Sequence, residues 1–515
     1  MIPARNLLVI LLVLPGLLSA AIRPEFAEPN ALPNSGTLVL ALAENSSLPE
    51  RLEPGLRQQL MSGIDAAGFT ARPNKSLTLY AQGPYARVIL VGLGDKALTA
   101  ASVQDFGGTV IKQAGRDDSE RVSILWEQPV ADAPYPAAHI ALGLQLGGYR
   151  FIKYKSADED AEDAGPETRF VIHSDNSAAA AEHWRKDWAG VADAVYFTRD
   201  LINEPANIIY PESFVSRTRE AFRGVDDVTI TVLDERQMKK QGMGALLGVG
   251  MGSERPPRLL VVEYRGAPKG QAPLAFVGKG VTFDTGGITL KRGKGMWRMK
   301  YDMSGAAAVT GALLALARRD AAVNAVAVAP LVENMPSQRA QRPGDVRTTM
   351  LGKTIEVIST DSEGRLILAD AVWYAQKEFE PAVLVDIATL TGSVKTALGA
   401  SYAGLFSRQD TLATQLQSAG RTSGEELWRL PLHKDFRKDI KSDIADIKNS
   451  VEGSSGGGAS HGAEFIGNFV KQDTVWAHLD IAGKAWNFKA RPTVPKGAAG
   501  WGVRLLNQYV RDYHE

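Results

Sequence analysis

The chain has 515 residues, 44% of them hydrophobic and 23% charged, which excludes a disordered or fibrous protein and exceeds one average domain. Its 58 Lys and Arg balance 58 Asp and Glu, so no overall field draws nucleic acid or an anionic membrane. It has no cysteine, which excludes disulfides, thiolate metal sites, a cysteine nucleophile and a lipidated N-terminal cysteine.

Arg5 precedes a 12-residue stretch, Leu7 to Leu18, without a charged or polar side chain, and Leu18-Ser19-Ala20 closes it on a small residue. This pattern predicts a signal peptide over 1–20. The protein is then expected to be exported, periplasmic or secreted, and cytoplasmic only if the leader is not functional. A helix needs roughly 20 apolar residues to cross a bilayer, so no stable membrane anchor is expected.

Residues 37–42 (TLVLAL) and 87–92 (RVILVG) read as buried strands, with a helical stretch from Glu50 to Ala67 between them. They predict an N-terminal α/β domain over 21–175. Its end holds a polar, acidic segment from Ser156 to Glu167, read as a surface loop. Residues 177–201 are rich in helix formers, with one glycine, Gly190, and predict a linking helix over 176–204. From 228 onward the apolar runs VTITVL, LLVVEY, LAFVG, AVAVAPLV, TIEVIS and AVLVDIAT alternate with helical stretches, a long one at 303–319. They predict a second, larger α/β domain, 205–515, with a mixed or parallel central sheet. The run GSSGGG at 453–458 reads as a mobile loop.

Two clusters in this second domain carry chemistry. In LAFVGKGVTFDTGGITLKRGKGMWRMKYDMSGAAAV, Lys279 and Asp284 follow a buried strand, where open α/β sheets bind their ligands. Lys291 and Asp302 come after a glycine-rich turn, and Asp302 precedes a helix whose dipole favours a carboxylate. In STDSEGRLILAD, Asp361, Glu363 and Arg365 would share one side of an extended chain. An isolated Lys or Asp at a strand end is ordinarily a solvated surface residue. Here four carboxylates share one domain, and if they converge they cannot all ionise without cations. Oxygen donors favour Mg, Mn or Zn over copper. None of the seven histidines lies in either cluster, which argues against a histidine-rich zinc site and a two-metal phosphoesterase.

VGKGVTFDTGG, MKYDMSGAAAV and TDSEGRLILADA closely resemble the signature blocks of the leucyl (cytosol) aminopeptidase family. TRDLIN, LVENMP, RPGDV, DIATLTG and WAHLDIAGKAW continue the resemblance over nearly all of 195–515. It implies a catalytic metallopeptidase domain and removal of N-terminal residues, Leu and other apolar ones, from peptide substrates. It further implies two divalent ions per chain, Mn or Zn with Mg a further candidate, and a homohexamer. By the same resemblance Lys279, Asp284, Asp302 and Glu363 would hold the tighter ion. Asp284, Asp361 (also through its backbone carbonyl) and Glu363 would hold the exchangeable one. Lys291 would polarise the substrate carbonyl, and Arg365 would hold a bicarbonate ion acting as general base. Met299, Thr389 and Gly392 would line the pocket for the first side chain.

Some positions depart from the family pattern. Ser359 and Ser362 stand where Asn and Ala are usual, and Trp297 and Arg298 where residues are commonly small or acidic. His461, Gly462 and Glu464 fall in a stretch usually rich in Thr and Ala, where a Glu464 at the pocket would favour basic first residues. The alternative function is a catalytically altered relative with a binding or structural role. Such a relative is expected to have lost ligands, whereas all five, with Lys291 and Arg365, are present.

Overall fold

Continuous apolar runs such as TLVLALA become strands buried on both faces, as the interior of a covered parallel sheet requires. The computed structural model describes residues 22–44, 46–115, 121–156, 168–453 and 456–515. The expected signal peptide, the acidic segment after Ser156 and the centre of the GSSGGG run lie outside the described residues.

The N-terminal strands are β1 (Glu25–Ala27), β2 (Thr37–Ala43), β3 (Ser76–Gln82), β4 (Tyr85–Gly94), β5 (Arg121–Leu125) and β6 (Arg169–His173). They form one sheet in the order β1-β6-β5-β2-β4-β3, parallel except for β3, which runs antiparallel to β4. Helices Ala100–Ala114 and Pro136–Gly148 bury apolar faces in the same core as this sheet.

Residues 177–203 are helical, but not as one regular helix. The α-helices Ser177–His183 and Ala189–Asn203 flank a π-helical stretch, Trp184–Trp188. Arg199 on the last piece is buried and donates to the carbonyls of Leu146, Thr493 and Ala499 at 2.7–3.1 Å. One guanidinium thus ties the N-terminal half to the C-terminal segment.

The second sheet uses β7 (Val228–Leu233), β8 (Arg258–Arg265), β9 (Leu274–Gly278), β10 (Gly280–Asp284) and β11 (Asn324–Asn334). After the small strands β12 (Val346–Thr348) and β13 (Thr354–Glu356) come β14 (Val383–Ala388), β15 (Ala403–Ser407), β16 (Leu427–Arg429), β17 (Ile447–Lys448) and β18 (Trp476–Asp480). The main order is β16-β15-β18-β14-β9-β11-β8-β7, with β10 beside β11, while β12, β13 and β17 form a separate small sheet. The sheet is mixed. β18, β14, β9, β11 and β10 run parallel, and β15, β8 and β7 each run antiparallel to a neighbour. Helix Ser304–Arg318 packs in one core and helix Glu363–Phe379 in the other.

The expected extended segment through Asp361, Glu363 and Arg365 is not present. β13 ends at Glu356, residues 359–362 turn, and Glu363 opens a helix. A carboxylate in a first helical turn is favoured by the dipole, so the charges converge through a turn and a helix start rather than through strand periodicity.

Asp370, buried on helix Glu363–Phe379, accepts the backbone N–H groups of Leu246 and Met350, both at 2.8 Å. Asp370→Ala leaves two buried donors without an acceptor and should lower the unfolding free energy by about 2–4 kcal/mol, read by denaturant titration. Burial pushes the Asp370 carboxyl up to about 7. Its folded value therefore exceeds the unfolded one of about 4, and the folded state holds the extra proton. That contribution to stability is present below about pH 4 and is lost as pH rises to about 7. Asp370→Asn should lack this component of the slope.

Candidate metal centre

The carboxyl ends of the parallel strands bring the predicted residues together. Lys279 lies between β9 and β10, Asp284 ends β10, and Thr389 follows β14. The Lys279 backbone is fixed on both sides, its N–H donating to Ile387 O (2.9 Å) and its carbonyl accepting from Ala306 N (2.8 Å). After Asp284 the chain turns back through Gly286 (φ +89°) and Gly287 (φ +66°), a left-handed conformation natural to glycine. Thr360 Oγ1 closes this turn by donating to Gly286 O at 2.6 Å and accepting from Thr289 N at 2.7 Å.

Lys279 Nζ lies 2.7 Å from Asp302 Oδ2 and 2.8 Å from Glu363 Oε1. Lys291 Nζ lies 2.6 Å from Asp284 Oδ2 and also contacts Asp361 Oδ1. Four carboxylates thus face two ammonium groups. Burial opposes charge on both lysines, but the surrounding carboxylates, Asp302 and Glu363 around Lys279 and Asp284 around Lys291, raise both above the ordinary lysine value. Burial pushes the carboxyl of Asp284 up to about 6 and raises those of Asp302 and Asp361. Burial raises Glu363 as well, but Lys279 and Lys291 overcome it and hold this group down at about 2. The lysines alone do not compensate the negative charge.

The donor set fits divalent cations. Asp284, Asp361 and Glu363 each offer a carboxylate oxygen within 4.8 Å of the others, and Glu363 Oε2 is buried without a hydrogen-bond partner. The Lys291 and Asp361 side chains keep 23% and 34% of their exposure, against 3% or less for Lys279 and Glu363, so the cluster is reached from their side.

Arg365, buried one residue beyond Gly364 in the same helix, donates through Nη1 to Asn449 O at 2.5 Å. Burial lowers its pKa to about 10. Thr389 bonds to two members of the cluster: its Oγ1 donates to Asp302 Oδ1 (2.7 Å) and its carbonyl accepts from Lys279 Nζ (2.9 Å). Met299 is half-buried on the 3₁₀ helix Met296–Met303 that carries Asp302, and Gly392 begins helix Gly392–Leu398 beside open space. Glu464 does not present a free charge to a basic first residue, because Arg437 pairs with its carboxylate at 3.0 Å. Ser359 and Ser362 direct their carbonyls to Asn449 Nδ2 at 2.7 and 3.3 Å.

Two positioning residues escaped the sequence reading. Asn334 Nδ2, at the end of β11, donates to Asp284 Oδ1 (2.8 Å) and Thr360 O (2.9 Å). Asn449 also accepts the N–H groups of Ile358 and Ser359. Asn334 sits in the block LVENMP, which was a usable signal; Asn449, far along the chain, had none.

Residues 196–507 match the catalytic domain of the cytosol aminopeptidase family and residues 39–158 its N-terminal domain. A probable cytosol aminopeptidase of Sinorhizobium fredii (strain NBRC 101917 / NGR234) is 46% identical over 454 residues, 87% of this chain and 90% of that one. The probable cytosol aminopeptidase of Chelativorans sp. (strain BNC1) is 43% identical over 491 residues, 94% and 97% of the two chains. Among solved structures, the bottromycin maturation enzyme BotP in complex with Mn superposes with a TM-score of 0.82 at 31% identity, covering 93% of this chain and all of its own. A variant of tomato leucine aminopeptidase gives 0.82 at 31%, covering 95% and 96%. Fold, site and relatives together define a metallo-exopeptidase, a hydrolase. The chain belongs to the cytosol aminopeptidase family. The expectation of export is corrected here. The relatives are named cytosol aminopeptidases, which points to the cytoplasm rather than to export. No helix among the described residues is long and apolar enough to cross a membrane.

Gly305 governs the position of Lys279. A Cβ there would lie 2.1 Å from Ile387 O and 2.7 Å from Lys279 N, both backbone atoms. Gly305→Ala should therefore displace Lys279 and lower kcat/KM on leucyl-p-nitroanilide by about 10²-fold, with every ligand side chain still present. Unchanged kinetics would show that the strand end tolerates the shift.

Proposed function

We propose that the chain is a two-metal aminopeptidase that removes N-terminal residues, Leu and other apolar ones, from peptides. The observation that carries this reading is the surplus of carboxylate over ammonium at one strand-end cluster, with Glu363 Oε2 unpartnered. Lys279, Asp284, Asp302 and Glu363 would hold the tighter ion. Asp284, Asp361 and Glu363 would hold the exchangeable one, with Asp284 and Glu363 shared. The relative solved with Mn supports a divalent metal, with Mn, Zn or Mg as candidates. When bound, the ions supply Lewis-acid activation of water and an anchor for the free N-terminal amine.

The chain's own groups do the rest. Lys279 ligates only as a neutral amine, so it must give up the proton that Asp302 and Glu363 favour. Lys291, paired with Asp284 and Asp361, would stabilise the oxyanion that develops on the substrate carbonyl. Arg365 offers a planar fork matched to the two oxygens of bicarbonate, which would take a proton from the attacking water. Met299, Thr389 and Gly392 form the walls against the first side chain. The unit 205–515 would contain this whole apparatus, with 21–175 and the helical link 176–204 as its support. Family resemblance extends the proposal to a homohexamer, for which light scattering should report the mass of six chains.

Chelation should abolish hydrolysis of leucyl-p-nitroanilide, and added Mn or Zn should restore it. Lys279→Ala should lose about one ion per chain after gel filtration and almost all activity. Arg365→Ala should keep both ions and lose roughly 10²–10⁴-fold in rate, and added bicarbonate should stimulate the wild type but not this variant. Loss of metal from Arg365→Ala, with both ions retained in Lys279→Ala, would overturn the assignment of roles.

A further inference from the structure

A cavity of about 430 Å³ lies beside the carboxylate cluster, walled by the 3₁₀ helix Met296–Met303, helix Gly392–Leu398 and the segment 482–491. Its charged lining residues are Arg298, Lys395, Lys489 and Arg491, and no acidic residue lines it. In a chain whose total charge is zero, this is a local concentration of one sign. Arg298 lies on the same 3₁₀ helix as Met299, and Lys395 lies one helical turn beyond Gly392, so the two elements that supply these cations are those that carry Met299 and Gly392.

Arg491 donates to Asn487 Oδ1 and Ala400 O at 3.0 and 3.3 Å, whereas Arg298 and Lys395 are not consumed by ion pairing. Arg298 packs its guanidinium over the ring of Phe488 at 4.7 Å, and its Nε is buried without a hydrogen-bond partner. Neither Arg298 nor Lys395 is ion-paired with a carboxylate among the described residues. Burial lowers the Lys395 pKa, and the charge of Arg298 lowers it further. The nearby Asp480 is already engaged by Thr391 Oγ1 at 2.6 Å and Leu390 N at 3.2 Å. Two cations that repel each other in a partly dehydrated cavity gain most from an anion placed between them.

We propose that this cavity is an anion pocket behind the first-residue pocket and selects peptides whose N-terminal residue carries a side-chain carboxylate. The proposal rests on the aminopeptidase reading and adds acidic first residues to the apolar ones named there. Glutamate fits both parts: its aliphatic stem matches leucine in length along Met299, and its carboxylate reaches toward Arg298 and Lys395. Glutamine has the same shape without the charge and is the discriminating control.

The test uses the metal-loaded full chain and the p-nitroanilides of Glu, Gln and Leu. The wild type should hydrolyse the Glu substrate with kcat/KM roughly tenfold above that for Gln. Arg298→Gln and Lys395→Gln should each reduce that ratio, and the double variant should bring it to about one. A wild-type ratio at or below one, or a ratio unchanged in both variants, overturns the anion pocket while leaving the Leu activity to support the aminopeptidase reading. Failure to hydrolyse all three substrates overturns the aminopeptidase reading instead. The pocket is then judged by thermal shift with free glutamate against free glutamine: a rise in Tm with glutamate, absent in the double variant, sustains it, and equal shifts overturn it.

Discussion

Burying Asp284, Asp302 and Glu363 at the carboxyl ends of parallel strands is the constraint around which the larger domain is arranged. Carboxylates removed from water are costly unless paired, and two lysines cannot neutralise these three together with Asp361. Negative charge is in surplus at this cluster, and burial raises the carboxyls of Asp284, Asp302 and Asp361. Such a surplus favours added positive charge and links stability of the site to its ligands.

The surrounding structure holds the charged groups together despite this surplus. β9 and β14 grip the Lys279 backbone through Ile387, and the close approach at Gly305 brings the start of helix Ser304–Arg318 against the same strand end. Asn334, Thr360 and Thr389 hold Asp284, the glycine turn and Asp302 by hydrogen bonds of 2.6–2.9 Å. Asn449 brings the 358–362 turn and Arg365 to one neighbourhood. Most of these partners are uncharged, so they orient the acids without removing the charge imbalance.

The basic cavity beside the site follows the same logic with the sign reversed. Cations collected around Arg298 and Lys395 stand next to a cluster rich in carboxylate, and one element, the 3₁₀ helix Met296–Met303, carries both Arg298 and Asp302. A substrate anchored by its free amine at the metal centre and anionic at its side chain would match both regions at once. Complementarity of this kind acts on selection between substrates more than on raw affinity.

The sequence by itself determined the alternation of apolar runs and helices, hence two α/β units and a mixed sheet, because side-chain burial on both faces leaves a continuous apolar signature. It also exposed the charged residues at 279–302 and 361–365, since charges at the ends of such runs are conspicuous. Only the tertiary structure decided that Asp361, Glu363 and Arg365 meet through a turn and a helix start, that a π-helical stretch interrupts 177–203, and that Glu464 is paired with Arg437. It alone brought Asn449 to Ser359 and Arg298 to Phe488, about ninety and two hundred positions away. Periodicity reports which face of an element is buried, but the partner of a hydrogen bond or the companion of a cation is set by where distant elements pack, and no local pattern encodes that.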